Sequence, residues 1–286
     1  MWDYFVAFIF GVVEGITEWI PVSSTGHMII LNEFLKLNVS PEFYDLYLVV
    51  IQLGAIIAVM VIFWWDIWPF GIKRNDHPLS DNGFGRWIMK DKFIMWFKIA
   101  LACIPAVIVG LLFDDWLDDH LYNYVVVALA LIVFGIAFIV VEKIMKDKDP
   151  KIKSIGSINW GHAFMIGLFQ ILAAIFPGAS RSGSTIVGSI GMGIKRETAA
   201  KFTFFLAIPV MIGASILKIF KYDGSVNGNE IALLLIGMVT AFFVSLVVIK
   251  ALMSFIKKHG FTCFGWYRIV LGVIVLILGL TGVIGK

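Results

Sequence analysis

The stretch GVVEGITEWIPVSSTGH, residues 11–27, decides how this chain folds, because its polar skeleton returns 156 residues later. Gly11, Glu14, Pro21 and Ser24 of the first copy match Gly167, Gln170, Pro177 and Ser180 of GLFQILAAIFPGASRSG, residues 167–183. Each copy is an apolar run, a proline that stops it, and a small, hydroxyl-rich segment. Proline ends the run because it lacks an amide hydrogen and clashes with the preceding helical turn. In a strongly apolar chain, a duplicated, proline-broken segment points to a site near the bilayer midplane between repeated halves.

The composition supplies the membrane. The 286 residues are 60% hydrophobic and 15% charged, with a mean hydropathy of +0.92. Soluble domains sit nearer half apolar and a quarter charged, so lipid must solvate much of this surface. A net charge of +3, with the basic residues in loops between apolar runs, is too small to point to nucleic acid, and no nucleic-acid partner is expected. Cys103 and Cys263 lie in apolar stretches and read as small buried hydrophobes. The run Tyr4–Val13 follows Asp3 and meets Glu14 and a proline instead of a cleavage site, so it reads as structure and not as a signal peptide.

Six runs are long and apolar enough to span, given that a helix needs roughly 20 residues to cross the hydrocarbon core. They are Leu46–Trp65, Phe93–Phe113, Leu121–Val141, Phe202–Phe220, Ile231–Leu252 and Ile269–Ile284. Residues 4–20 and 160–176 are shorter, stop at Pro21 and Pro177, and resume as Thr25–Leu37 and Ser184–Ile194. These are expected to be re-entrant helical hairpins with Ser-rich tips. Irregular backbone at that depth survives only when buried in protein or lining a wet cavity.

Loop charges agree with this path. Lys73, Arg74, Arg86, Lys90 and Lys92, the five lysines of Glu142–Lys153, then Lys195, Arg196 and Lys201, and finally Lys257 and Lys258 form the basic loops. Asp114–Asp119, with four aspartates, and the nearly balanced Lys221–Glu230 are the others. With basic loops inside, the first hairpin dips from outside and the second from inside. The expected fold is therefore all-α, with six transmembrane helices plus two re-entrant hairpins as an inverted-topology repeat. Residues 1–286 form one integral membrane domain with halves of about 1–145 and 156–286.

The chemistry-bearing residues sit at the tips. Glu14 and Glu18, four apart, share a helix face. Carboxylates there must face a cavity, a metal or each other, and could hold a divalent cation or orient a base. Ser23, Ser24, Thr25 and His27 follow Pro21, and in a helical first turn Ser24 and His27 are within reach for base activation of a hydroxyl. At the second tip, Ser180, Arg181 and Ser182, followed by Thr185, precede or open a short helix. An arginine at membrane depth needs an anion. A helix start adds free N–H groups and a positive dipole end. The two tips together suit binding and attack of a phosphate group.

These residues resemble a known family, the undecaprenyl-diphosphate phosphatases of bacteria, of the bacitracin-resistance type, over essentially the whole chain. The family's acidic motif is matched by Glu14-Gly-Ile-Thr-Glu18, its Pro-Gly-x-Ser-Arg-Ser-x-x-Thr motif by Pro177 through Thr185, and a third fingerprint by Pro21 to His27. The resemblance implies hydrolysis of a polyprenyl diphosphate lipid to the monophosphate and inorganic phosphate. It also implies carrier recycling for cell-wall polymers, a need for Mg²⁺ or Ca²⁺, and a bacterial plasma membrane location with the site open to the outer face.

The expected mechanism has Arg181 hold the terminal phosphate and stabilise the transition state, helped by Ser23, Thr25, Ser180, Ser182 and Thr185. Ser24 attacks with His27 as base, Glu18 orients His27, and Glu14 with Glu18 supports the cation. Attack by His27 itself, or directly by water, stays open, as does whether the chain forms a homo-oligomer. The rival reading is a transporter or lipid flippase on the same scaffold, which would bind or move lipid without releasing phosphate.

Overall fold

The structure is a computed structural model that describes residues 1–71, 75 and 77–284, apart from the side chains of Asp114, Asp115, Asp118 and Asp119. Lys73 and Arg74 of the first basic loop therefore lie outside the described residues. The helices are α1 (Trp2–Thr17), α2 (Ser24–Phe34), α3 (Pro41–Ile62), α4 (Trp64–Ile67), α5 (Lys90–Leu121), α6 (Tyr124–Met145), α7 (Trp160–Ile175), α8 (Arg181–Gly191), α9 (Arg196–Lys221), α10 (Gly228–Lys258) and α11 (Thr262–Leu280). Among the described residues there is no β-strand, only three isolated bridges.

Six of these helices, α3, α5, α6, α9, α10 and α11, are long and apolar enough to cross a membrane, and the chain is a multi-pass membrane protein. The face that meets lipid is visible on α6. Leu129, Val133, Ile136, Val140 and Ile144 recur at helical spacing and are all exposed, whereas Val127, Ala128, Leu131 and Phe138 of the same helix are buried. An apolar stripe that points away from the protein core has lipid as its solvent.

Two helix pairs interrupt this pattern, and their lengths agree. Helices α1 and α7 each have 16 residues, and α2 and α8 each have 11. The breaks fall at Pro21 and Pro177 as the sequence predicts. The packing of the pairs also agrees. Helix α1 lies on α10 and α7 on α5, while α2 touches α11 and α8 touches α6. The repeat glycines make the close approaches: a Cβ at Gly11 would sit 2.6 Å from the Gly237 carbonyl of α10, and one at Gly167 2.5 Å from the Ala102 carbonyl of α5. Small residues at such crossings let membrane helices pack backbone to backbone.

Some boundaries differ from the expectation. Helix α5 continues through the acidic segment to Leu121, so Asp114–Asp119 extend a helix and do not form a loop. Helix α11 begins at Thr262, seven residues before the predicted Ile269, and so takes in Tyr267 and Arg268. Cys103 and Cys263 are free thiols, and Cys263 is exposed, not buried. Within α5, Lys98 donates to the Ile158 carbonyl at 2.5 Å.

Candidate active site

Helix α1 presents its small residues to α10 and its acids beside them. Gly11 and Gly15 pack on α10, where Ser245 donates to the Gly15 carbonyl at 3.3 Å. Glu14 and, at the C-cap, Glu18 follow one turn apart, both buried. The chain then breaks through Trp19–Val22 and restarts as α2. Ser23 caps α2 by accepting from the Gly26 amide at 3.3 Å. Ser180 caps α8 in the same way, accepting from the Gly183 amide at 3.1 Å.

Ser23 and Ser180 are the only non-glycine residues with positive φ among those described, at 74° and 68°. The left-handed region costs an L-residue roughly 1–2 kcal/mol, and such strain collects where a functional geometry is held. This pair corrects the register of the repeat. The spacing of 156 matches Ser24 with Ser180, whereas the structure makes Ser23 and Ser180 the equivalent caps. Ser24 and Arg181 are therefore the corresponding first residues of α2 and α8.

Both of these first residues reach the same carboxylate. The Ser24 hydroxyl donates to Oε2 of Glu18 at 3.0 Å, and Arg181 Nη2 donates to Oε1 at 2.7 Å. The Ser182 hydroxyl adds a bond to the Glu18 carbonyl at 3.2 Å and lies 3.2 Å from the Ser180 hydroxyl. Arg181 also donates to the Thr203 carbonyl of α9 at 3.4 Å. The first-turn amides of Ser24, Thr25, Arg181 and Ser182 find no acceptor in their own helices, which makes each helix start a donor cluster.

His27 takes a different place from the one expected. Its Nδ1 donates to the Ser23 carbonyl at 2.7 Å, which leaves Nε2 as acceptor for the Tyr267 hydroxyl, also at 2.7 Å. The two rings stack with centroids 5.6 Å apart. Ser24 is thus paired with Glu18 and not with His27, because the imidazole turns back to the carbonyl four residues earlier. Thr185 is fully buried, and its hydroxyl is taken up by Thr203, 2.9 Å away, and by the Arg181 carbonyl at 2.8 Å. It ties α8 to α9 through Thr203. Thr25 is half-buried on α2 beside Ser24.

Glu14 bears on whether the site suits a cation. It is 2% exposed, its Oε1 has no hydrogen-bond partner, and its electrostatic neighbours are Glu18 and Arg181. Two hard carboxylates one turn apart, one with an unsatisfied oxygen, fit Mg²⁺ or Ca²⁺ as partial ligands. Among the described residues no third His, Cys, Asp or Glu joins them. Substrate oxygens and water would have to complete the shell.

Sequence reasoning missed Arg268. This α11 side chain is fully buried, donating through Nη1 to the Pro21 carbonyl at 3.2 Å and through Nη2 to the Gly178 and Ala179 carbonyls at 2.9 and 2.7 Å.

Comparison with known proteins shows the family of the chain. The family described as "Bacitracin resistance protein BacA" matches residues 7–274. An "Undecaprenyl-diphosphatase" of Desulfitobacterium hafniense is 53% identical over 96% of this chain and 95% of its own. An "Undecaprenyl-diphosphatase 1" of Clostridium acetobutylicum is 52% identical over 95% of each chain, and an "Undecaprenyl-diphosphatase" of Enterococcus faecalis is 50% identical over 94% of each. With a family match over most of its length and relatives that share half its residues, the chain belongs to the bacitracin resistance protein BacA family.

Proposed function

We propose that this chain is a membrane phosphatase that hydrolyses undecaprenyl diphosphate to undecaprenyl phosphate and inorganic phosphate. This would recycle the carrier lipid for cell-wall polymer synthesis and confer resistance to bacitracin. The observation that carries the reading is the Glu18 carboxylate shared between the Ser24 hydroxyl and the Arg181 guanidinium. Beside them, two helix starts supply unpaired amides. The relatives' printed activity agrees with it.

In the proposed reaction the terminal phosphate lies between the starts of α2 and α8, against Arg181, Ser182 and the first-turn amides. Ser24 Oγ attacks phosphorus while its proton passes to Glu18. The bond from phosphorus to the bridging oxygen breaks, and its electron pair leaves with the lipid monophosphate. Water then attacks the phosphoserine, giving inorganic phosphate and restoring Ser24. Glu18 serves as base because it already accepts from Ser24. His27, held at both nitrogens, orients the α2 start. Glu14 and Glu18 would hold a divalent cation, which when bound would neutralise charge on the diphosphate oxygens. Arg181 stabilises the charge that develops in transfer.

The same proposal treats α1–α2 and α7–α8 as re-entrant hairpins of two inverted halves, about 1–145 and 156–286, in one domain. Sixteen helical residues rise about 24 Å, less than the roughly 30 Å hydrocarbon core. The exchanged packing supports the repeat: α1 on α10 against α7 on α5, and α2 on α11 against α8 on α6. Basic loops placed inside put the mouth of the site on the outer face of a bacterial plasma membrane. Assay of phosphate release from undecaprenyl diphosphate by purified protein, with Mg²⁺ or Ca²⁺, tests the function. Lipid binding without release would favour the carrier.

A further inference from the structure

We infer that Arg268, with its neighbour Tyr267, is the positioning device that holds the two tips in register for the reaction. The inference rests on the phosphatase reading for its kinetic part and on geometry for the rest. A buried arginine in a membrane protein ordinarily meets an anion. Arg268 is 0% exposed, yet its hydrogen bonds go to three backbone carbonyls, and the Phe134 ring lies 5.7 Å from its guanidinium carbon.

The identity of those carbonyls gives the arginine its role. Pro21 belongs to the break after α1, and Gly178 and Ala179 to the break after α7. A helix that stops inside a membrane leaves carbonyls without partners, which water would otherwise have to satisfy. One guanidinium, with five donors in a fixed fork, serves both breaks at once. The bonds fall just ahead of the two left-handed caps: Pro21 is two residues before Ser23, and Ala179 immediately precedes Ser180. The caps in turn set Ser24 and Arg181, so the distance between nucleophile and phosphate clamp depends on Arg268. The fit is close, because a Cβ at Gly183 would lie 2.7 Å from Arg268 Nη1.

Tyr267 extends the device to the mouth of the site. Adjacent to Arg268 on α11, it donates to His27 Nε2 and stacks on the imidazole. Arg268 fixes the backbone of both tips, and Tyr267 fixes the first turn of α2. Neither is required to touch the phosphate, so each acts through Ser24 and Arg181.

The test compares wild type, Arg268→Lys, Arg268→Ala, Tyr267→Phe and Arg181→Ala in lipid nanodiscs. It measures kcat and KM for phosphate release from undecaprenyl diphosphate, and amide hydrogen exchange of residues 19–26 and 177–184. Lysine keeps the charge but loses the fork. Arg268→Lys should lower kcat about 100-fold, the scale of a displacement of about 1 Å at a reacting group. KM should stay within about threefold, because ground-state binding is untouched. Exchange in both tip segments should quicken together by about tenfold or more. Free guanidinium ion should restore about a tenth or more of kcat to Arg268→Ala by refilling the fork site. Tyr267→Phe should lower kcat about tenfold by freeing His27.

Wild-type kcat in Arg268→Lys would overturn the inference, as would a loss expressed only in KM, or faster exchange in one tip alone. If Arg268→Ala does not fold, the lysine variant and the exchange measurement still decide. No phosphate release from wild type would overturn the phosphatase reading instead, and the paired exchange of the two tips would still report on Arg268.

Discussion

Ser24 and Arg181 hold opposite oxygens of one carboxylate: the serine hydroxyl lies 3.0 Å from Oε2 of Glu18 and the guanidinium 2.7 Å from Oε1. They are the first residues of α2 and α8, each directly after a serine in the left-handed region. Two helix starts 157 residues apart in sequence thus meet through a single acidic side chain. Glu18 pairs with the arginine that no lipid could solvate and also accepts a hydrogen bond from the hydroxyl that the proposed mechanism makes nucleophilic. The stability of the site and its chemistry therefore share one group.

Glu18→Gln keeps the shape and removes the charge. Ser24 loses its base and Arg181 its counter-ion. The expected loss in kcat is on the order of 10³-fold, within the range for a general base. Phosphate-release kinetics check it, and a change confined to KM would contradict the assignment.

Arg181→Lys is not a conservative change here. A lysine can pair with Glu18 or the phosphate as a point charge, but cannot fork between Glu18 and the Thr203 carbonyl as Arg181 does. The predicted loss is at least about 100-fold in kcat, with lipid binding largely kept. The same kinetics, together with a binding isotherm for the lipid, separate the two effects.

The route through Ser24 predicts a covalent intermediate. Rapid acid quench with labelled undecaprenyl diphosphate should leave phosphate on Ser24, and Ser24→Ala should abolish both label and turnover. Label on His27 would place the nucleophile there. Label on neither residue, with turnover intact, would mean direct attack by water.

The caps give a stability prediction independent of the chemistry. Ser180→Gly relieves the left-handed strain and loses little as a cap, so its cost should be no more than a few tenths of a kcal/mol. Ser180→Ala keeps the strain and removes the cap bond, and should cost about 1 kcal/mol. Ser23 should show the same ordering. Thermal unfolding in detergent measures both, and equal losses for Gly and Ala would contradict the account.

Much of this fold can be read from the chain itself. The apolar runs mark the six long helices because lipid demands length and hydrophobicity. Pro21 and Pro177 mark the breaks because proline cannot continue a helix. Glu14, Glu18 and Arg181 announce themselves because charge is expensive in an apolar run. The same logic hides Arg268: its charge ends the run Ile269–Ile284 early, so by hydropathy the last helix starts after it, when it in fact begins at Thr262. Its carbonyl partners carry no residue-type signal, and they come from positions 89 to 247 residues away. The partner of Ser24 is hidden for a different reason. Spacing places His27 on the right face but cannot show that its ring turns back to the Ser23 carbonyl and out to Tyr267. The register of the two caps is off by one because Ser23 stands two residues after Pro21 while Ser180 stands three after Pro177, a difference that spacing matched on the prolines conceals.

The most direct test of the central claim is phosphate release from undecaprenyl diphosphate by purified protein in Mg²⁺ or Ca²⁺, beside Glu18→Gln, Ser24→Ala and Arg181→Ala. Cation-dependent release by the wild type, lost in all three folded variants, is the predicted result. A folded, lipid-binding wild type that releases no phosphate, or three variants that release it at the wild-type rate, would contradict the account.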